Sequence, residues 1–132
     1  MSSQSVGIVL MSHSALLAEG AAEIASEMSG GRAQVAHAGG TDDGRLGTSI
    51  ALLEAAVKSV TGDAGVLIIP DLGSSVLTTR TFLEDVEDDV QIAMVDAPFV
   101  EGSIAAVIAA SAGLPLDKVI AAAEETRGQT KF

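Results

Sequence analysis

The 132-residue chain predicts an α/β fold, a three-layer sandwich in which a mainly parallel four-stranded sheet of order 2-1-3-4 is covered by helices on both faces. Three observations carry this reading. Four short apolar runs, Val6 to Met11, Ala33 to His37, Val66 to Pro70 and Val90 to Val95, have the length of buried strands. The segments between them space their apolar residues at helical intervals, and strands that alternate with helices build parallel sheets. No internal repeat or linker breaks the pattern, so residues 1–132 read as one domain with a core of its own.

The first strand ends in Ser12-His13-Ser14 and runs directly into a helix. There, Leu17, Ile24 and Met28 form the expected apolar stripe with Gly20 and Ala21, while Glu19, Glu23 and Glu27 share a solvated face. The second helix opens at Thr48 or Ser49, either of which can cap it, repeats Ile50, Leu53, Val57 and Val60, and stops by Gly62. A third helix opens at Ser74 or Ser75 and runs through Phe82, Leu83 and Val86. It leads into the acidic cluster Glu84, Asp85, Glu87, Asp88 and Asp89, a solvated turn or a docking surface. After the fourth strand, Asp96 to Gly102 forms a loop and an alanine-rich helix spans Ser103 to Ala112, closed by Gly113. Pro115 opens a last helix through Val119, Ile120 and Ala123, which Gly128 ends, and residues 129–132 read as a frayed tail.

Composition narrows the function classes. The formal charge is −11 with no run of Lys or Arg, which opposes nucleic-acid binding, and three phenylalanines offer no stacking platform. The apolar runs are too short to cross a bilayer, and the Met-Ser-Ser-Gln-Ser start lacks the basic region of a signal peptide, so a cytoplasmic protein without membrane contact is expected. Absence of cysteine excludes disulfides and thiol chemistry, and only His13 and His37 offer imidazole ligands, so no metal is expected. An acidic surface favours a partner with a basic face.

In a sheet of order 2-1-3-4 the switch point lies between strands one and three, and ligands bind beyond the carboxyl ends of the strands there. That places Ser12-His13-Ser14 beside Asp71-Leu72-Gly73-Ser74-Ser75, with Gly39 to Ser49 and Asp96 to Gly102 on the rim. A neutral histidine beside a helix amino terminus is a good phosphoryl acceptor, since one ring nitrogen attacks while the other donates a hydrogen bond. Asp71 is suited to accept that bond, which would leave Nε2 to carry the phosphoryl group. Ser12, Ser14, Gly47, Thr48, Gly73, Ser74 and Ser75 offer amides and hydroxyls to the phosphoryl oxygens, with Glu101 and Gly102 as further rim candidates. The residues alone leave other readings open. Asp71 and the serines also suit caps and turns, Glu101 suits a helix start, and His37 and the Thr41-Asp42-Asp43-Gly44 loop suit purely structural roles. Ser74 or Ser75 with His13 and Asp71 also match the residue types of a hydrolase triad, although the Gly-x-Ser-x-Gly elbow is missing.

Taken together, Val9-Leu-Met-Ser-His-Ser14, Leu17-Ala-Glu-Gly20, Gly39-Gly-Thr-Asp-Asp43 with Gly47-Thr-Ser49, Asp71-Leu-Gly-Ser-Ser75 and Ala97-Pro-Phe-Val-Glu-Gly102 resemble the mannose-type EIIA domains of the phosphotransferase system over nearly the whole chain. Within them the last two motifs look like the DhaM branch, which serves PEP-dependent dihydroxyacetone kinases. The resemblance implies an EIIA-mannose-like fold and a phosphohistidine carrier, with His13 as phosphoacceptor and Asp71 as the residue that orients it. It implies HPr as donor and, in the DhaM branch, ADP with Mg held on a DhaL subunit as acceptor, with dihydroxyacetone bound to DhaK. This chain itself would then bind no cofactor beyond the phosphoryl group on His13. In the sugar-transport branch the acceptor is a IIB domain instead. Family members are homodimers, so a homodimer is expected.

Overall fold

The computed structural model describes residues 5–87 and 89–132. The Met1 to Gln4 start, read above for a signal sequence, and Asp88 of the acidic cluster lie outside the described residues. Four parallel strands, β1 (Gly7–Ser12), β2 (Val35–Gly39), β3 (Val66–Pro70) and β4 (Ile92–Met94), form one sheet in the order β2-β1-β3-β4. The expected order therefore stands. β1 is buried along its whole length and β3 likewise, which explains why both read as continuous apolar runs rather than alternating ones.

Side chains alternate between the two faces. Ile8, Leu10, Leu67 and Ile69 point into the core beneath α1 (Ala15–Met28), α4 (Phe99–Ser111) and α5 (Leu116–Glu125). Val9, Met11, Val66 and Ile68 point into a second core with Leu53, Ala56, Val57 and Val60 of α2 (Ile50–Val60); Phe82 and Leu83 of α3 (Gly73–Glu84) pack at its margin. Three layers result, with α1, α4 and α5 on one face and α2 and α3 on the other. Among the described residues no helix is long and apolar enough to cross a membrane.

Element boundaries move in ways that matter to the site. β2 starts at Val35 rather than Ala33 and continues past His37 to Gly39, because Gly30 and Gly31, both at positive φ, first turn the chain back from α1. β4 contracts to Ile92–Met94, pairing on one side only. Helix α4 begins at Phe99, behind Pro98 as N-cap, so Glu101 and Gly102 lie in its first turn rather than in a loop before Ser103. A 3₁₀ turn, Thr126–Gly128, extends α5.

Of the apolar stripe expected on α1, Ala21 is buried but the large residues are not. Ala18, Ala21, Ala22 and Ala25 face the core, whereas Leu17, Ile24 and Met28 remain 44%, 46% and 60% exposed. The sheet beneath already presents the bulky Ile8 and Leu10, and α4 approaches with Ala106, Ala109 and Ala110, so only methyl groups fit between them. The same tightness appears where β2 ends: a Cβ on Gly39 would lie 2.5 Å from the Ser14 carbonyl oxygen and 2.8 Å from Ala15 Cα. Gly39→Ala must push the β1–α1 corner outward and is expected to lower unfolding free energy by about 1–3 kcal/mol in urea titrations. Gly20→Ala meets nothing within 4 Å in the middle of α1 and is expected to stabilise by up to about 1 kcal/mol. Equal midpoints for the two variants would contradict this account of the corner.

Candidate functional site

The site is built by two strands ending side by side. Parallel pairing brings Met11 opposite Pro70, and the Asp71 N–H donates to the Met11 carbonyl at 3.0 Å, so the residues that follow, Ser12-His13 and Asp71, meet at the switch point. Ser14 caps α1, its hydroxyl accepting from Leu17 N–H at 3.2 Å. On the other strand α3 starts at Gly73 behind Leu72, which offers no side-chain cap. Ser74 and Ser75 therefore sit inside the first turn instead of capping it. Their hydroxyls are free for other partners.

The Asp71 carboxylate gathers the corner. It accepts from Ser12 Oγ at 2.7 Å, Ser75 Oγ at 2.5 Å, Leu72 N–H at 2.6 Å and His13 N–H at 3.2 Å. Ser12 Oγ in turn accepts from Ser14 N–H at 2.9 Å. Ser12 and Ser75 are fully buried, so the carboxylate supplies partners that water cannot reach. Partial burial pushes the Asp71 carboxyl up, but the bonds from Ser75, Ser12, Leu72 and His13 together outweigh it and hold the group below the usual carboxylate value.

The His13 ring makes a different contact from the expected one. Its Nδ1 lies 2.9 Å from Ser74 Oγ, while the Asp71 bond to His13 goes to the backbone N–H. The carboxylate is turned into the corner by the buried hydroxyls of Ser12 and Ser75. Among the described residues no hydrogen bond engages Nε2. A Ser-His-Asp relay needs the carboxylate on the second ring nitrogen, so Ser74, His13 and Asp71 are not arranged as a hydrolase triad.

Several groups expected to hold phosphoryl oxygens have internal partners instead. Gly47, at φ 139°, donates its N–H to the His13 carbonyl at 2.9 Å. The Thr48 hydroxyl pairs with Thr78 Oγ1 at 2.7 Å, and the Ser12, Ser14 and Ser75 hydroxyls are engaged as described. What stays open toward a ligand is the start of α3, the N–H groups of Gly73 and Ser74, together with the amino terminus of α1. Glu101 is not part of this cluster: its carboxylate lies 3.5 Å from Lys131 Nζ, tying down the tail, and Gly102 packs its backbone near Ala97. Beside Asp71 a cleft of about 450 Å³ is lined also by Val76, Arg80, Met94, Asp96 and Ala97. Among the described residues no group of three His, Asp or Glu side chains is gathered around one point that could hold a metal.

Sequence reasoning did not single out three leucines at this end of the sheet. Leu16, Leu46 and Leu72 are 81%, 72% and 60% exposed. Leu16 stands in the first turn of α1, Leu46 precedes the glycine bonded to His13, and Leu72 follows Asp71. One on each of three segments that border a polar site is the pattern that could have flagged them.

Because its pKa is depressed in the folded chain, Asp71 contributes stability above its unfolded value of about 3.9, and that contribution is lost as pH falls through the lower folded value. Asp71→Asn is expected to lower unfolding free energy near neutral pH by about 1–3 kcal/mol. The gap between the two proteins should shrink below about pH 4. A gap of constant size down to pH 2 would remove the carboxylate from this role.

Known proteins resemble the chain over most of its length. The EIIA-man model, described as the PTS system fructose IIA component, matches residues 7–120. The phosphoryl donor subunit DhaM of PEP-dependent dihydroxyacetone kinase 2 from Listeria innocua is 35% identical over 105 residues, 78% of this chain and 84% of its own. DhaM of Escherichia coli K12 is 36% identical over 120 residues, 87% of this chain but 25% of its own, so the chain spans about a quarter of that relative. A crystal structure of EF1359, a protein of unknown function, superposes with a TM-score of 0.82 at 32% identity, covering 97% of this chain and 98% of that one. A sigma-54 interaction domain protein from Enterococcus faecalis shares the fold, with a TM-score of 0.66 at 18% identity over 87% of this chain and 84% of that one. With the family model matched from the first strand into the last helix, and with these relatives, the chain belongs to the EIIA-man family and is a DhaM-like phosphotransfer domain.

Proposed function

We propose that the chain accepts a phosphoryl group on His13 Nε2 from phosphorylated HPr in the cytoplasm and passes it to ADP bound with Mg on a DhaL subunit. That transfer would drive PEP-dependent phosphorylation of dihydroxyacetone held on DhaK. The observation that carries the reading is the ring itself: Nδ1 is engaged and Nε2 is not, at a point where two helix amino termini converge. Attack by Nε2 puts the phosphoryl oxygens near amide dipoles rather than near carboxylates, since Asp71 is turned toward the backbone. The three exposed leucines favour a protein as the carrier of the incoming and outgoing group, because a small phosphorylated metabolite gains little from an apolar rim. The proposal includes a homodimer, for which the exposed Leu17, Ile24 and Met28 strip on α1 supplies an apolar face.

Incubation with enzyme I, HPr and phosphoenolpyruvate is expected to place one acid-labile, base-stable phosphoryl group on the chain, and His13→Ala is expected to abolish it. A label that persists in His13→Ala would sink the assignment. The loaded protein should then lose its phosphoryl group to DhaL carrying ADP. Discharge to a mannose-type IIB domain with none to DhaL would move the chain to the sugar-transport branch.

A further inference from the structure

The geometry points to Ser74 as the residue that positions the His13 ring and selects its reactive tautomer, an inference that rests on the carrier reading above. A neutral imidazole has one N–H, and Ser74 Oγ at 2.9 Å from Nδ1 can serve as donor or acceptor. If the hydroxyl donates, the ring proton sits on Nε2, and neither nitrogen has a lone pair free to attack. If Nδ1–H donates to Oγ, the Nε2 lone pair is free. Ser74 is held for this by the first turn of α3, and the neighbouring Ser75 hydroxyl is drawn away to Asp71, so the two serines have divided roles. Asp71 acts one bond further out, on the His13 backbone and the two buried hydroxyls.

The transfer step balances without proton movement at the ring. The Nε2 lone pair forms the N–P bond while the bond from phosphorus to the donor breaks and its electron pair leaves with the donor. His13 becomes a phosphoimidazolium whose Nδ1–H still donates to Ser74 Oγ. Onward transfer reverses this, returning the pair to Nε2 and the ring to its neutral Nδ1–H form. A hydroxyl holds that proton in place without adding a negative charge beside the ring. The phosphorylated form is thus less stabilised than it would be by a carboxylate, which suits a group that must be passed on.

The test uses the full chain in a His37→Gln background, which leaves His13 as the one histidine of the two to read. With the ring neutral, ring nitrogen NMR shifts are expected to show a protonated Nδ1 and an unprotonated Nε2. Ser74→Ala should shift the population toward the Nε2–H form and slow phosphorylation by phosphorylated HPr about fivefold, the equivalent of one neutral hydrogen bond. Ser74→Thr, which keeps a hydroxyl, should restore both. Ring shifts and rate unchanged in Ser74→Ala would overturn the inference, as would a tautomer change in Asp71→Asn that Ser74→Ala does not produce. Failure of the parent protein to accept a phosphoryl group would overturn the carrier reading alone, because the ring shifts report on Ser74 independently.

Discussion

Almost everything at the working end of this fold depends on how the Asp71 carboxylate is satisfied. It stands where β3 ends and binds the residues where β1 ends, so it joins two parallel neighbours just past their last ladder bonds. Ser12 and Ser75 are fully buried, and each hydroxyl has this carboxylate as its acceptor. Without the acceptor, two buried hydroxyls lose their partner, each a loss of about 1–3 kcal/mol, and the His13 and Leu72 N–H groups lose theirs as well. Sequence places an acid after an apolar strand, and packing then makes that acid the fixed point from which the His13 backbone is set.

The rest of the corner is made close by small residues. Alanines on α1 let it lie against Ile8 and Leu10, and glycine at 39 lets β2 end against the Ser14 backbone. Parallel β–α connectivity puts the amino termini of α1 and α3 at the same end of the sheet, and this closeness holds α1 tight against the corner. It also leaves the larger residues of α1 outside, Leu16 in its first turn and Leu17, Ile24 and Met28 along its outer face. A helix that buried its leucines would stand further from the sheet.

The strand order, the switch point and the meeting of His13 with Asp71 were legible because they follow from run length, alternation of elements and the chirality of parallel crossovers. Two things were not. The buried face of α1 could not be read from its large residues, because periodicity marks an apolar face without saying whether leucine or alanine fits the space opposite; that is decided by Ile8, Leu10 and α4. The partner of Nδ1 was also hidden. Asp71, Ser74 and Ser75 all lie within reach in sequence, and the choice turns on α3 beginning at Gly73, a boundary that residue preferences place only to within a residue or two.

The same bonds bear on the kind of phosphate site that the proposed carrier would have. A site that grips phosphate commonly sets an arginine or lysine against it, yet here Arg45 is paired with Asp43 at 3.0 Å and Arg80 lies in the cleft beyond Asp71. Five of the hydroxyls and amides first suited to the task, on Ser12, Ser14, Gly47, Thr48 and Ser75, are consumed in holding the corner together. The remaining attraction comes from the first-turn amides of α1 and α3, dipoles that orient an anion without neutralising it. On the carrier reading proposed above, such dipoles would align a phosphoryl group for in-line transfer without an ion pair to hold it. A corner whose polar groups are mostly spent on its own rigidity, with one ring nitrogen left open, is therefore matched to carriage rather than to storage or hydrolysis.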